Sequence, residues 1–165
     1  MDQNKRCFPP VVSPATRVLV LGSLPGDASL KAAQYYAHPR NHFWPIMGRL
    51  LDSSLVDLGY EARLSVLKTA GVGLWDVVAE ASRKGSLDAD LREVSGNDLS
   101  RLIDSLPGLR VVAFNGQTAA RIGLRQLGEA AARLTVLTLP STSPAHTLPL
   151  EEKWRQWSVL ADWLA

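Results

Sequence analysis

Cysteine is almost absent from this sequence of 165 residues, where Cys7 stands alone. A single thiol excludes an internal disulfide framework, a four-cysteine iron–sulfur cluster and the paired-cysteine zinc site of nucleobase deaminases. Long apolar runs are missing too, because no stretch approaches the ~20 apolar residues of a membrane-spanning helix and no signal-peptide core follows the basic residues near the N-terminus. We therefore expect a cytoplasmic protein that contacts no membrane.

Neither sign of charge dominates, since 18 Lys and Arg residues stand against 16 Asp and Glu residues. A net charge of +2 is too small to require a nucleic-acid partner, and it does not exclude one. The hydrophobic share of 46% and the length are typical of a globular chain that buries its own core. The composition predicts one domain over residues 1–165, with residues 1–14 as an N-terminal extension.

Short apolar runs and helical periodicity alternate along the chain. Strands buried on both faces are predicted at 16–21, 71–74, 111–114 and 134–139. Helices are predicted at 42–51, 60–70, 97–106, 117–126 and 151–164. The polar stretch 82–97 is predicted to be one long loop with a helical turn. Strands that alternate with helices indicate an α/β fold with a parallel sheet between helix layers.

In such folds, ligands bind beyond the carboxyl ends of the strands. The loops there begin at Gly22, Trp75, Asn115 and Pro140, although their small and polar residues could serve only to make turns. The first loop, 22–27, lacks the Gly-Lys-Ser/Thr of a phosphate-binding loop, the third glycine of a dinucleotide fingerprint and the serine of a nucleophile elbow. Taken alone, it is a weak signal.

The segment 34–44, Gln-Tyr-Tyr-Ala-His-Pro-Arg-Asn-His-Phe-Trp, combines aromatic rings, imidazoles, a guanidinium and an amide. Aromatic platforms beside cations suit the stacking of nucleic-acid bases. Part of the segment has a simpler explanation, because Phe43 and Trp44 fall with Ile46 and Met47 on the core face of a predicted helix. Asn41 could be the N-cap of that helix or a catalytic residue.

Gly22-Ser23-Leu24-Pro25-Gly26, followed by the segment 34–44, resembles the uracil-DNA glycosylase superfamily and most closely its hypoxanthine-DNA glycosylase branch. The segments 74–78, 83–88, 114–116 and 139–145 agree with that branch in the same order. The resemblance implies a three-layer α/β/α sandwich around a four-stranded parallel sheet. It also implies a monomeric, nucleoid-associated DNA repair enzyme that flips a deaminated base out of DNA and hydrolyses its N-glycosidic bond without metal or cofactor. Hypoxanthine from deoxyinosine is the expected base, and an abasic site the product.

By position in these motifs, the resemblance makes Asn41 the catalytic residue and Tyr36 the ring that stacks on the flipped base. It assigns the remaining base-binding roles to Gly22, Ser23, Leu24, Asp76 and Asn115. The DNA-binding residues that it implies are Pro25, Gly26, Arg40, Ser141, Thr142, Ser143, His146 and Leu148.

The sequence departs from the superfamily pattern at three positions. Leu24 replaces the Asp or Asn with which many relatives orient the attacking water, so the water must be held elsewhere. Leu139 replaces a His or Asn, and His146 either substitutes for it in part or is a solvated loop residue. Asp76 stands where uracil-specific members use Asn, and it either contacts the base or orients its neighbours.

The sequence alone is compatible with other roles for several residues and with other functions. Ser141 and Ser143 could cap their own loop instead of binding phosphate, and Leu148 could pack on the last helix instead of wedging into DNA. A uracil-DNA or mismatch-specific uracil glycosylase shares nearly all the motifs, as does a catalytically silent DNA-binding member. A small α/β hydrolase using Ser141 or Ser143 with His146 is disfavoured, because no nucleophile elbow is present.

Overall fold

The computed structural model describes residues 3–83 and 85–164. The strands are β1 (Gln3–Arg6), β2 (Val18–Gly22), β3 (Val72–Asp76), β4 (Val78–Arg83), β5 (Arg92–Gly96), β6 (Val111–Asn115) and β7 (Thr135–Leu139). The α-helices are α1 (Asp27–Ala32), α2 (Phe43–Leu50), α3 (Tyr60–Ala70), α4 (Leu99–Asp104), α5 (Gln117–Leu127) and α6 (Leu150–Trp157). Short 3-10 turns lie at Leu55–Asp57, Asp88–Asp90, Gly128–Arg133 and Ser158–Trp163.

The central sheet has four parallel strands in the order β3-β2-β6-β7. Successive residues of β2 point to opposite faces of the sheet and are buried on both. Val18 and Val20 pack in a core with α2, α3 and α6, whereas Leu19 and Leu21 pack in a second core with α4 and α5. The predicted three-layer α/β/α sandwich around a four-stranded parallel sheet is therefore confirmed. The prediction that the strand at 134–139 is buried on both faces was wrong, because β7 lies at the edge of the sheet and only Leu139 is buried.

A second sheet lies where the sequence predicted a single long loop. The strands β1, β4 and β5 form an antiparallel sheet in the order β1-β4-β5, so the prediction of a loop over 82–97 was wrong. Strand β5 is largely exposed, and β4 pairs with residues some 80 positions away, so neither gives a local apolar pattern. Residues 3–6 of the predicted N-terminal extension are strand β1. Met1 and Asp2 of that extension, and Ala165, lie outside the described residues.

The last predicted helix, 151–164, proves to be two elements: α6, followed by a 3-10 segment, Ser158–Trp163. Trp157 at their junction is fully buried, and its Nε1 donates to the carbonyl oxygen of Pro140 at 2.9 Å. Trp154 and Trp163 pack at the edge of the same core. The tryptophans of this region are thus core residues. No helix within the described residues is both long and apolar enough to cross a membrane.

The contact of α5 with the sheet depends on a missing side chain at Gly123. A Cβ atom there would lie 2.2 Å from Cε1 of Phe114 and 2.8 Å from Cγ1 of Val77. We expect Gly123→Ala to lower the free energy of unfolding by about 1–3 kcal/mol, because overpacking outweighs the gain in helix propensity. Urea denaturation measures the change. Gly59→Ala is the matched control, since its Cβ would meet nothing within 4 Å, and equal effects of the two variants would contradict the packing argument.

Candidate active site

A cavity opens at the carboxyl ends of the parallel strands, where such folds bind ligands. Its volume is about 300 Å³, at the small end of the range for ligand pockets. The predicted site residues that line it are Gly22, Ser23, Leu24, Pro25, Gly26, Tyr36, Asn41, Asp76, Asn115, Ser141, Thr142, Ser143 and His146. Loops far apart in the sequence therefore meet at one cavity.

Two residues with predicted DNA-binding roles lie outside this cavity. Arg40 is exposed and Leu148 is half-buried, and neither is part of the cavity wall. Their proposed contacts with DNA stay predictions for the surface around the opening.

Tyr36 is held as a rigid aromatic wall. Its ring stacks on the fully buried Phe43 of α2, with centroids 4.0 Å apart and planes inclined by 22°. Its backbone has a φ of 55°, a left-handed conformation that is uncommon for residues other than glycine and costs of order 1–3 kcal/mol. The Tyr36 hydroxyl is buried and finds no hydrogen-bond partner among the described residues. Burial, and to a lesser extent the nearby Asp76, raises the Tyr36 pKa, which keeps the phenol neutral.

Asn41 has a structural role that is visible in its contacts. Its side-chain Oδ1 accepts a hydrogen bond from the backbone N–H of Phe43 at 2.9 Å, at the start of α2. The backbone N–H of Asn41 donates to the carbonyl oxygen of His38. Asn41 therefore caps the helix and lines the cavity at the same time, and its catalytic role stays a prediction.

Asp76 lies at the end of β3, directly opposite Gly22 of the neighbouring strand β2. A Cβ atom on Gly22 would lie 2.7 Å from Oδ1 of Asp76 and 3.4 Å from the Tyr36 hydroxyl oxygen. The missing side chain of Gly22 thus makes room for both groups. Asp76 is 4% exposed, and within the described chain its Oδ2 has no hydrogen-bond partner. Burial first, and then the charge of Asp88, raises the Asp76 pKa to about 7 against the opposing effect of Arg83.

The first loop is held from the antiparallel sheet by a buried cation. Arg83 on β4 is fully buried and donates through Nη2 to the carbonyl oxygen of Pro25 and through Nε to that of Gly85, the latter at 2.8 Å. Asp88 accepts from the Ser23 hydroxyl at 2.7 Å and lies 4.0 Å from Nη1 of Arg83. The segment 83–88 was part of the resemblance, but sequence reasoning assigned no role to its residues. Only the contacts show that it supports the loop.

Two further contacts secure that loop. The Ser86 hydroxyl accepts from the backbone N–H of Asp27 at 2.8 Å, and Lys5 of β1 forms an ion pair with the Asp27 carboxylate. The sheet that sequence reasoning missed is therefore joined to the cavity on both sides of Gly26.

The loop after β7 is fixed by an amide. Oδ1 of Asn115 accepts from the backbone N–H of Thr142 at 2.9 Å, while its Nδ2 donates to the Thr142 hydroxyl at 3.0 Å. The carbonyl oxygens of Thr142 and Ser143 accept from the His42 backbone N–H and the Lys153 ammonium group, respectively. The Asn115 amide therefore holds the loop over the cavity, and a direct contact with a base stays a prediction.

The serines of this loop also make local turns, since Ser141 Oγ accepts from the backbone N–H of Ser143, and Ser143 Oγ from that of Ala145. His146 is exposed at the rim of the cavity. Leu24 is 7% exposed and packs in the second core, and its side chain offers no polar atom to a water molecule. Nowhere in residues 3–83 and 85–164 do three His, Cys, Asp or Glu side chains cluster as a metal site would require.

Comparison with known proteins gives matches over nearly the whole chain. The family model for the uracil DNA glycosylase superfamily matches residues 9–164. A hypoxanthine DNA glycosylase of Methanosarcina acetivorans is 37% identical over 158 residues, which are 94% of this chain and 97% of that protein. One from Methanosarcina barkeri is 36% identical over 157 residues, covering 94% and 96% of the two chains. A solution NMR structure from M. acetivorans, named as a candidate uracil DNA glycosylase, superposes with a TM-score of 0.85 at 36% identity and covers 96% of this chain and 97% of its own.

The buried carboxyl group predicts a pH-dependent stability. The pKa of Asp76 is raised in the folded state to about 7, above the ~3.9 of an unfolded chain, so its contribution is complete at low pH and is lost as the pH rises from about 4 to 7. Asp76→Asn has no such loss. We expect its stability relative to the unsubstituted protein to increase by about 1.4 kcal/mol per pH unit in that window, up to about 4 kcal/mol in total.

Urea denaturation at several pH values between 4 and 9 measures this difference. Asp90→Asn removes an exposed carboxylate from the same region and is the control. A difference between Asp76→Asn and the unsubstituted protein that is constant with pH would show that Asp76 is ionised throughout.

Proposed function

Because the chain belongs to the uracil DNA glycosylase superfamily, we propose that it is a DNA repair glycosylase that removes hypoxanthine from deoxyinosine and leaves an abasic site. The observation that carries the proposal is the convergence of Tyr36, Asn41 and Asp76 on one small cavity at the carboxyl ends of the strands. Two relatives that align over nearly the whole chain bear the name hypoxanthine DNA glycosylase, which supports this choice of base.

The size and walls of the cavity suit a single extruded base. A base in a duplex is out of reach, so an enzyme that acts on it must flip it into a pocket and hold it by stacking and hydrogen bonds. Tyr36, backed by Phe43, supplies a flat aromatic surface that need not reorganise when the base arrives. Because Phe43 is itself buried in the core, the ring is fixed before binding, which lowers the entropic cost of stacking.

Hydrolysis breaks the bond between the sugar C1′ and the base nitrogen. The bonding electron pair leaves with the base and the sugar gains oxocarbenium character. A water molecule then adds to C1′, and the proton that it releases balances the one that the departing base takes up, so the products are the neutral base and the abasic sugar. Asn41 orients that water through its amide but is not a strong base, and the side chain of Leu24 cannot hold a water molecule. Most of the rate acceleration therefore comes from stabilising the departing base.

The DNA around the flipped nucleotide meets the rim of the cavity. The backbone of Pro25 and Gly26 and the hydroxyl groups of Ser141 and Ser143 contact phosphates, with His146 beside them. Arg40 and Leu148, which lie outside the cavity, meet the flanking duplex. We propose that the protein acts as a monomer in the cytoplasm, associated with the nucleoid where its substrate lies.

A panel of labelled duplexes tests the function. Each carries one hypoxanthine, uracil or xanthine, and is incubated with the protein in EDTA before abasic sites are cleaved with alkali. We expect a strand break at hypoxanthine, and none in an undamaged duplex. A break at uracil alone would make the protein a uracil glycosylase, and no break with any base would make it a DNA-binding member without catalysis.

Asn41 both caps α2 and lines the cavity, so two variants are needed to separate a catalytic role from helix capping. Asn41→Ser keeps a side-chain oxygen that can cap α2 but removes the amide, whereas Asn41→Ala removes both. We expect both variants to lose at least a hundredfold in single-turnover excision rate, and only Asn41→Ala to lose about 1 kcal/mol of stability. If Asn41→Ser excises hypoxanthine at the unsubstituted rate, Asn41 is only a helix cap.

A further inference from the structure

The carboxyl group of Asp76 is buried at the cavity wall and takes no part in the hydrolytic step. Its position is fixed on two sides. Its backbone carbonyl accepts from Nδ2 of Asn97 at 2.7 Å, and its Oδ1 fills the space that a side chain on Gly22 would need. Yet Oδ2 is buried with no hydrogen-bond partner in the described part of the chain. A carboxyl group held at the cavity wall with unused hydrogen-bonding capacity is suited to a ligand.

The surroundings of Asp76 disfavour a negative charge. The groups that face it are Cys7 after β1, Tyr35 and Tyr36 before α2, Asp88 between β4 and β5, and Arg83 on β4. Arg83 is the cation of this set. Its Nε and Nη2 donate to the carbonyl oxygens of Gly85 and Pro25, and its Nη1 lies 4.0 Å from Asp88 with no hydrogen-bond partner in the described part of the chain. Burial and the Asp88 charge therefore prevail, and the Asp76 pKa near 7 leaves much of the group neutral at physiological pH.

We propose that Asp76 recognises the flipped base as a neutral carboxylic acid, whose O–H donates to the carbonyl oxygen of the base while its C=O accepts from the adjacent ring N–H. This inference rests on the proposed function and deepens it. Hypoxanthine presents such a pair in its N1–H and O6 groups, and uracil presents the same pair in N3–H and O4. An ionised carboxylate could accept from the N–H group but would set its second oxygen against the carbonyl lone pairs. The acid form alone satisfies both groups.

The pH dependence of hypoxanthine excision tests the proposal. Single-turnover rates are measured from pH 5.5 to 9 on a hypoxanthine duplex for the unsubstituted protein, Asp76→Asn and the control Asp90→Asn. We expect the unsubstituted protein and Asp90→Asn to lose at least tenfold between pH 7 and 9, as Asp76 ionises. Asp76→Asn should stay level over that range, because its amide donates and accepts at every pH.

Two outcomes would overturn the proposal while leaving the glycosylase function intact. One is excision by the unsubstituted protein that is level or rises up to pH 9, and the other is an alkaline loss that persists in Asp76→Asn. If no base is excised at any pH by any of the three proteins, the proposed function fails and this inference fails with it.

A spectroscopic measurement tests the protonation state without relying on turnover. The protein is labelled with ¹³C at aspartate carboxyl carbons, and the Asp76 signal is identified by its loss in Asp76→Asn. We expect it to titrate near pH 7 in the free protein and to stay in the neutral form to higher pH with a duplex carrying a 2′-fluorinated deoxyinosine, which resists cleavage. Titration below pH 5, or a shift toward the ionised form on binding, would overturn the proposal.

Discussion

The cavity depends on one close approach, between the backbone of Gly22 and the side chain of Asp76. The parallel register of β2 and β3 sets these residues side by side, and only a residue without Cβ leaves space there for a carboxyl group. The hydroxyl of Tyr36 borders the same space, 3.4 Å from where a Cβ atom on Gly22 would lie. Because the Tyr36 ring is stacked on Phe43, Tyr36 also links helix α2 to the ends of the strands. A residue with a Cβ at position 22 would displace the Asp76 carboxyl group and come into contact with the Tyr36 hydroxyl.

The antiparallel sheet supplies a second level of support. Arg83 carries a charge into the protein interior, where an unpaired ion would be costly, and carbonyl oxygens of Pro25 and Gly85 compensate that charge. The first loop is thereby held by Arg83 and Lys5, two cations of the antiparallel sheet that are distant from it in sequence. The loop also contacts Asp88, which accepts a hydrogen bond from the Ser23 hydroxyl. The charge of the same aspartate raises the Asp76 pKa. Loop geometry and site electrostatics are thus coupled through Asp88.

The sequence was sufficient for the central sheet because all four of its strands are short, mostly apolar runs, even though β7 at the edge is only partly buried. It could also place the cavity, since ligands in this architecture bind where such strands end. It was not sufficient for the antiparallel sheet, because β1 pairs with β4 across some 80 positions and β5 is largely exposed, so neither carries a local apolar pattern. It could not predict that Arg40 and Leu148 lie outside the cavity, because that depends on the paths of the loops. Asparagine suits both helix capping and the proposed catalytic role of Asn41, so no sequence pattern could distinguish the two.

At position 76 this chain has Asp, where the motif pattern of the uracil-specific members has Asn. This difference need not change the hydrogen bonds that the side chain offers to a base. A neutral carboxylic acid and a carboxamide each present one donor and one acceptor on neighbouring atoms. The difference is that the acid keeps this pattern only while its environment holds the proton. Burial at the strand end and the charge of Asp88 provide that environment, and they cost folding stability as the pH rises. The same substitution on an exposed loop would ionise, so the enclosed position of Asp76 beside Gly22 is a requirement of its chemistry.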